Sequence, residues 1–378
     1  MTILGLIVEY NPFHHGHRHH LDEAIKLTQP DLIVAVMSGH FVQRGEPACL
    51  DKWTRTQEAL DQSIDLVIEL PFALTVQSAS TFASSAVYLL SQAGVTDLVF
   101  GSESNDLETL KLMAELPINV DAIKESLKQG HGFPKAYGAA MGAYPPNDIL
   151  GIAYLKALAS TPITPHTIQR TNAYHSTDLD HPIVSATAIR QALAKGLSID
   201  KATPMAHALI EAQTRDFARY YPLIRTLLLT LPKTTLEALF LMDEGLENHL
   251  VKLAEQYTDF EPFMYHAVTR RYTKARIQRT LTHLMAHTTK TELKKLPPLQ
   301  TLRVLGFSAK GQRHLRTLRD NGIRIATRFN QVPIPYRRLE LKATAAYGHV
   351  LSAEARQALL EREIKGPILP EPIEPTDN

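Results

Sequence analysis

Four short apolar runs punctuate the first hundred residues: Ile3–Val8, Leu32–Met37, Leu66–Leu70 and Asp97–Phe100. Runs this short, rich in Val, Ile and Leu, read as strands buried on both faces. Amphipathic stretches of about a dozen residues separate them and read as helices: His17 to about Thr28, Lys52–Ser63 with Asp51 as its cap, and Ser78–Ala93. Strands alternating with helices at this spacing require parallel crossovers, and so an α/β fold around a parallel sheet. Ligands of such sheets bind beyond the carboxyl ends of the strands. Three loops follow strands and therefore share that edge: Glu9–Gly16, Ser38–Ala48 (SGHFVQRGEPA) and Gly101–Ser104.

The first of these loops carries His14-His15-Gly16-His17, an H-x-G-H tetrad at a strand-to-helix junction. A helix start offers unpaired N–H groups and partial positive charge, which suits an anion. Two imidazoles add directional donors, and Gly16 lets the backbone approach a phosphate. The tetrad resembles that of the adenylyl-transferring α/β superfamily, in which attack on the α-phosphate of ATP builds charge on its oxygens and on the departing pyrophosphate. Donors that strengthen in the transition state accelerate that step. His14 and His17 are the expected catalytic donors. The five histidines between His14 and His20 also raise a metal site. An imidazole-only set lacks the supporting acids such sites use, and none is assigned.

Further along, Ile149–Ala159 reads as a helix after Pro145-Pro146-Asn147-Asp148, within a peripheral helical stretch over 105–160. Thr164–Gln169 reads as a fifth strand ending at Arg170. Ser185 caps a helix that runs to Lys195 and carries Thr187 and Arg190. A phosphate reaching that helix start would meet the Ser185 and Thr187 hydroxyls and the Arg190 guanidinium. From about Asp200 to His287 the pattern is mainly helical, with Leu236–Leu253 as one helix. Thr301–Phe307, Ser308–Arg319 and Ile323–Thr327 form a smaller strand-helix-strand unit. The expected organisation is an α/β domain over 1–198, a mainly helical basic region over 199–366, and a disordered Pro-rich tail over 367–378.

The net charge of +1 conceals an asymmetry. Residues 266–329 hold 15 Lys and Arg against two acids, Glu292 and Asp320, so that stretch is +13 and the remainder −12. Such a block calls for a polyanion. Arg270, Arg271, Lys274, Arg276 and Arg279 are its densest part, and Tyr272, Phe307 and Phe329 are aromatics that would stack on unpaired bases. The one cysteine, Cys49, excludes an internal disulfide and a Cys-based zinc finger. No run approaches the ~20 apolar residues of a membrane span. A cytoplasmic protein is expected; oligomeric state is not legible.

The runs Gly5–His17, Met37–Ala48, Asp65–Pro71, Phe100–Ser104, Pro146–Gly151 and Arg270–Arg279 together resemble the bacterial tRNA(Met) cytidine acetate ligase family, within the HxGH nucleotidyltransferase superfamily. The resemblance implies a Rossmann-like nucleotidyltransferase domain. It implies an enzyme that makes acetyl-adenylate from acetate and ATP, with Mg²⁺ held through phosphates. The acetyl group then passes to N4 of the wobble cytidine of elongator tRNA(Met). Carried over by position, the ATP contacts are Ile7, Val8, Glu9, Tyr10, Asn11, Pro12, Phe13, His14, His15, Gly16, His17, Arg18, His19, His20, Gly101, Asn147 and Arg170. Two positions depart from the family pattern: His15, where Asn is common, and Ala186, where the wider superfamily often has a second Ser.

Other side chains have bland readings beside functional ones. Lys52 is the third catalytic candidate, as a phosphate ligand; with Arg55 one turn on, it also reads as a solvated helix face. Gln43 and Arg44 either shape the acetate or cytidine pocket or brace a loop. Two rival functions stay open: a small-molecule nucleotidyltransferase, which needs no basic block, and a non-catalytic tRNA-binding protein, which needs no tetrad.

Overall fold

A computed structural model describes residues 1–116, 121, 125, 144–170, 184–212 and 216–370. Five parallel strands form the heart of the fold: β1 (Ile3–Val8), β2 (Leu32–Ser38), β3 (Leu66–Leu70), β4 (Asp97–Ser102) and β5 (Thr164–Gln169). Two later strands, β6 (Thr301–Phe307) and β7 (Arg324–Ala326), complete one seven-stranded sheet in the order β5-β4-β1-β2-β3-β6-β7. The strand-helix-strand unit near the C-terminus is thus part of the first sheet. β6 lies antiparallel against β3, pairing Leu66 with Phe307 and Ile68 with Val304. The chain beyond residue 199 therefore leaves the sheet and returns to it.

From β1 the chain moves outward through β2 and β3, then crosses back to place β4 on the other side of β1. That reversal is a topological switch point, and it opens a crevice at the carboxyl ends of β1 and β4. The turn after β1 and the turn after β4 face it.

Helices cover both faces. One face carries α1 (His15–Thr28), α2 (Lys52–Asp61) and α5 (Ala186–Ala194), packed on Leu4, Leu6, Ala35 and Met37. The other carries α3 (Ala79–Gln92) and α4 (Pro146–Leu158), packed on Ile3, Val34, Val36 and Ile68. The odd and even positions of β1 and β2 supply opposite cores, as a strand's two-residue period requires. A third core belongs to the helical region: α6 (Phe217–Thr230), α7 (Leu246–Gln256), α8 (Phe260–Ala267) and α9 (Lys274–Met285) bury Tyr220, Leu250, Phe263 and Leu281. Phe41, from the loop after β2, joins this core and ties the helical region to the sheet.

The single helix expected over Leu236–Leu253 is interrupted. Leu241, Glu244 and Gly245 adopt left-handed φ values of 67°, 61° and 80°, and α7 starts only at Leu246. The exposed carbonyls of that break are taken by distant donors: Arg276 binds the Leu241 oxygen and Tyr272 the Glu244 oxygen. The first residues of the expected tail are held to the sheet. Ile368 donates to the Leu305 carbonyl and accepts from the Phe307 N–H, so the chain is pinned along β6. Residues 371–378 lie outside the described residues, as does part of the stretch 105–160.

Candidate active site

The H-x-G-H tetrad opens α1, with His14 as the N-cap residue in extended conformation. The two histidines form a reciprocal cap. The Gly16 N–H donates to His14 Nδ1 at 3.0 Å, and the His14 N–H donates to His17 Nδ1 at 3.3 Å. Because each Nδ1 accepts, each ring carries its proton on Nε2. The rings stack with centroids 3.9 Å apart, and Tyr10 packs its edge onto His17 at 5.0 Å. Burial pushes the His14 imidazole down to about 3, with Arg170, His15 and Arg190 adding to the effect. Burial, then His14 and Arg170, hold His17 well below its ordinary range. His20, one turn on, is pushed down to about 4 by burial and then Arg170. The turn thus presents two neutral Nε2–H donors, and among the described residues no acid perturbs them.

Distant elements hold the turn open. Arg190, from α5, donates to the Asn11 carbonyl at 2.6 Å. Thr203 donates to the Phe13 carbonyl at 2.5 Å, and the Cys49 N–H reaches Asn11 Oδ1 at 2.7 Å. Arg55, fully buried, donates to the carbonyls of Glu9 at 2.6 Å, Leu50 at 3.0 Å, Ser38 at 3.2 Å and Gly39. It lashes the exits of β1 and β2 together. The solvated-face reading of Arg55 is therefore corrected: a guanidinium with four carbonyl partners has no need of water. Sequence alone did not single out Thr203.

The other expected ATP contacts divide by what their side chains already touch. Arg170 ends β5 and lies over Gly101, where a Cβ would come within 3.1 Å of Arg170 Cγ. The electrostatic effect of Arg170 on His14, His17 and His20 places it beside the tetrad. Arg190, bound to the Asn11 carbonyl, also acts electrostatically on His14. Ser185 caps α5 through the Ala188 N–H at 3.2 Å, and Thr187 is exposed on its first turn. Asn147 opens α4, but Glu103 already bonds its side-chain amide at 2.6 Å and the Asn147 and Asp148 N–H groups. Arg18 turns along its own helix to Asp22 and Gln62, and His15 is exposed.

Lys52 is the clear departure. Its ammonium is fully buried, 2.5 Å from Glu69 Oε1 and 2.8 Å from Glu363 Oε1. Glu340 lies 3.9 Å away, and Arg303 bridges Glu69 and Glu363 at 2.7 Å each. An ammonium enclosed by three glutamate side chains, two of them within 2.8 Å, has no free proton to offer a nucleotide. Lys52 is a structural ion, not a phosphate ligand. Glu69, Glu340 and Glu363 are the one three-acid cluster among the described residues, and Lys52 and Arg303 fill it. The partners come from β3, from α11 (Ile334–Tyr347) and from α12 (Ala353–Ile364), so the cluster was invisible to local pattern.

The SGHFVQRGEPA loop seats on α9. Gln43 braces it, donating through Nε2 to the Gln77 carbonyl at 2.7 Å and through its N–H to Glu9 Oε1 at 2.7 Å. Burial raises the Glu9 carboxyl. Gly45 has φ +88°, and a Cβ there would lie 2.6 Å from the Arg279 nitrogen, so only glycine allows this approach. Glu46 accepts from Gln278 at 2.9 Å and lies 3.8 Å from Arg190. Through Glu46, α9 is linked to the arginine that supports the turn.

The five basic residues singled out in sequence do not form one surface. Arg271 pairs with Glu244 at 3.0 Å, and Arg276 approaches Asp243 at 3.8 Å. Arg270 and Lys274 are exposed. Arg279 is half-buried against the Gly45 loop, its guanidinium pushed down to about 10 by burial and then by Arg276 and Arg44. The three aromatics expected to stack on bases are buried: Tyr272, Phe307 and Phe329 are each 6–7% exposed.

A parallel sheet whose switch point holds an H-x-G-H helix cap is the architecture of a nucleotidyl transferase, and the HIGH Nucleotidyl Transferase family model matches residues 1–363. More narrowly, the chain belongs to the tRNA(Met) cytidine acetate ligase family. It is 36% identical to the tRNA(Met) cytidine acetate ligase of Geobacillus sp. (strain WCH70), over 98% of this chain and all of that protein. It is 39% identical to the Leuconostoc citreum protein of the same name, over 83% of this chain and 84% of the relative. The crystal structure of apo Thermotoga maritima TmcAL superposes with a TM-score of 0.88 at 30% identity, covering 98% of this chain and 100% of that one. The same protein bound to alpha-thio ATP gives 0.86 at 31% identity, with the same coverage.

Proposed function

We propose that this chain is an ATP-dependent acetate ligase acting on the wobble cytidine of elongator tRNA(Met) in the cytoplasm. The observation that carries the reading is the His14–His17 pair, fixed as neutral Nε2–H donors at the sheet's switch point. ATP enters over the turn, with Gly101 admitting close approach of its nucleoside. The triphosphate lies between Arg170 and the Ser185–Arg190 helix start. An acetate oxygen attacks the α-phosphorus, and the bond to pyrophosphate breaks. His14 and His17 donate to the phosphate oxygens as charge builds there. Arg170 and Arg190 offset the charge of the leaving group.

Cytidine N4 then attacks the acetyl carbonyl, AMP leaves, and N4 loses a proton. No covalent enzyme intermediate is required, and Cys49 has no part. Mg²⁺ accompanies ATP as a charge-neutralising ion held through phosphates and water. The residues fit that arrangement, because the one three-acid cluster among those described is filled by Lys52 and Arg303. Glu9, braced by Gln43 at the boundary of turn and acceptor loop, faces the side from which the cytidine arrives.

The test is incubation with ATP, labelled acetate and total tRNA, followed by nucleoside analysis. Acetylcytidine in one tRNA species, with acetate-dependent pyrophosphate release, is the expected result. Pyrophosphate release that needs no acetate, or a stable nucleotide product without RNA, would indicate a small-molecule nucleotidyltransferase. RNA binding without ATP turnover would indicate a non-catalytic protein.

A further inference from the structure

The structure splits the basic block into two surfaces, and the second has no assigned partner. It belongs to α10 (Ala309–Asp320), which joins β6 to β7. Its inner side is pinned. Ser308 donates to Asp65 Oδ1 at 2.7 Å, His314 Nε2 meets the Ala93 carbonyl at 2.8 Å, and Leu315 and Leu318 are buried. Asp65 and Ala93 precede β3 and β4, so α10 sits toward the amino-terminal edge of the parallel strands. The tetrad lies at their carboxyl ends, about 20 Å away along a six-residue strand.

The outer side of α10 carries Lys310, Arg313, Arg316 and Arg319, all exposed. At 100° per residue, Arg313 and Arg316 form the crest of the helix, and Lys310 and Arg319 its two flanks. Their Cα atoms rise about 4.5 Å from one to the next, some 14 Å in all. None makes a side-chain hydrogen bond or ion pair among the described residues. Asp320, the last residue of the helix, is its sole acid. Lys26 and Lys233, exposed on other helices, each pair with a glutamate of their own helix, Glu23 and Glu237.

A solvated helix face ordinarily mixes charge signs. This one also places Lys310 in the first turn, where the helix dipole disfavours a cation, and has no acid there to compensate. Like charges one turn apart repel one another, and the row is the complement of a row of phosphates. We propose that α10 is a second RNA-docking surface, which grips the tRNA backbone away from the reacting cytidine. This rests on the functional reading above and extends it. The Gly45–Arg279 side receives the loop that reacts, and α10 holds a helical limb by charge alone, without reading sequence.

The test uses the full chain with K310Q, R313Q, R316Q and R319Q combined, and tRNA(Met) binding followed by fluorescence anisotropy over a salt series. The slope of log K against log salt should become shallower by about three, as expected for four lost phosphate contacts. The KM for tRNA should rise about tenfold or more, acetate-dependent pyrophosphate exchange should be unchanged, and an oligomer of the anticodon-loop nucleotides alone should bind both proteins equally. An unchanged slope, in a protein whose wild type acetylates the same tRNA, overturns the second surface. So does an equal loss of affinity for the loop oligomer, or loss of binding to phosphatidylserine vesicles with tRNA binding intact. A wild-type protein that acetylates no tRNA is a different failure, that of the functional reading itself.

Discussion

The rings of His14 and His17 stack 3.9 Å apart, and each uses Nδ1 to accept a backbone N–H of the other's turn. The cap that starts α1 therefore also fixes the tautomer of both donors. Replacing either residue with Ala removes a transition-state donor. Acetate-dependent pyrophosphate release should fall about 10²–10³-fold. His17→Ala that retains full exchange activity would sink the assigned role.

Neutral imidazoles give a pH signature. His14 is held down to about 3, and His20 and His283 to about 4, in each case mainly by burial. Adenylation should therefore show no titration near pH 6.5 from these rings. Stability should show one. The unfolded chain binds these protons near pH 6.5 and the folded chain only near 3–4, so their stabilising contribution is intact above pH 6.5. It is lost as pH falls toward 4. Chemical denaturation midpoints measured between pH 8 and pH 4 check this; a flat profile contradicts it.

Lys52→Met leaves Glu69 and Glu363 buried with only Arg303 between them. Loss of one partner from a buried ion network costs about 3–5 kcal/mol. The expected outcome is a large drop in the denaturation midpoint, with exchange activity per folded molecule retained. Normal stability with lost catalysis would restore Lys52 as a phosphate ligand.

Glu340 in the same cluster is raised to about 8 by burial and then by Glu69. The folded state holds this proton more tightly than the unfolded chain. Its contribution is therefore full below about pH 4.5 and is lost as pH rises through 8. Glu340→Gln keeps an acceptor for the Phe72 N–H, which Glu340 Oε1 binds at 2.5 Å. The variant should be the more stable protein at pH 9, with the gap closing toward pH 6. Parallel midpoints across that range would refute the assignment.

Gly45→Ala puts a Cβ against the Arg279 backbone at a left-handed φ. The strain should cost about 1 kcal/mol or more. Because the proposed function puts the Ser38–Ala48 loop on the side of the incoming cytidine, transfer to tRNA should suffer more than pyrophosphate exchange. Equal losses in both steps would place the loop in ATP binding instead.

The strands, the tetrad and the capped helices were legible in sequence because each depends on neighbours a few residues away. Ile3–Val8 is apolar throughout because both its faces are covered, and Ser185 and Asp51 announce helix starts by their own side chains. The resemblance, through runs such as Gly5–His17 and Arg270–Arg279, pointed to the family without any structure. What local pattern could not show was which distant groups would meet. Lys52 and Arg55 look like an exposed basic pair until Glu363, 311 residues on from Lys52, and the carbonyls of two strand ends enclose them. The basic block reads as one patch in one dimension. Folding sends Arg279 against the Gly45 loop and Arg313 toward the amino edge of the sheet. Backbone propensity and hydrophobic period are written in adjacent residues. The sign of a side chain's role is set by its dielectric surroundings and its partners, and those exist only once the distant segments have folded together.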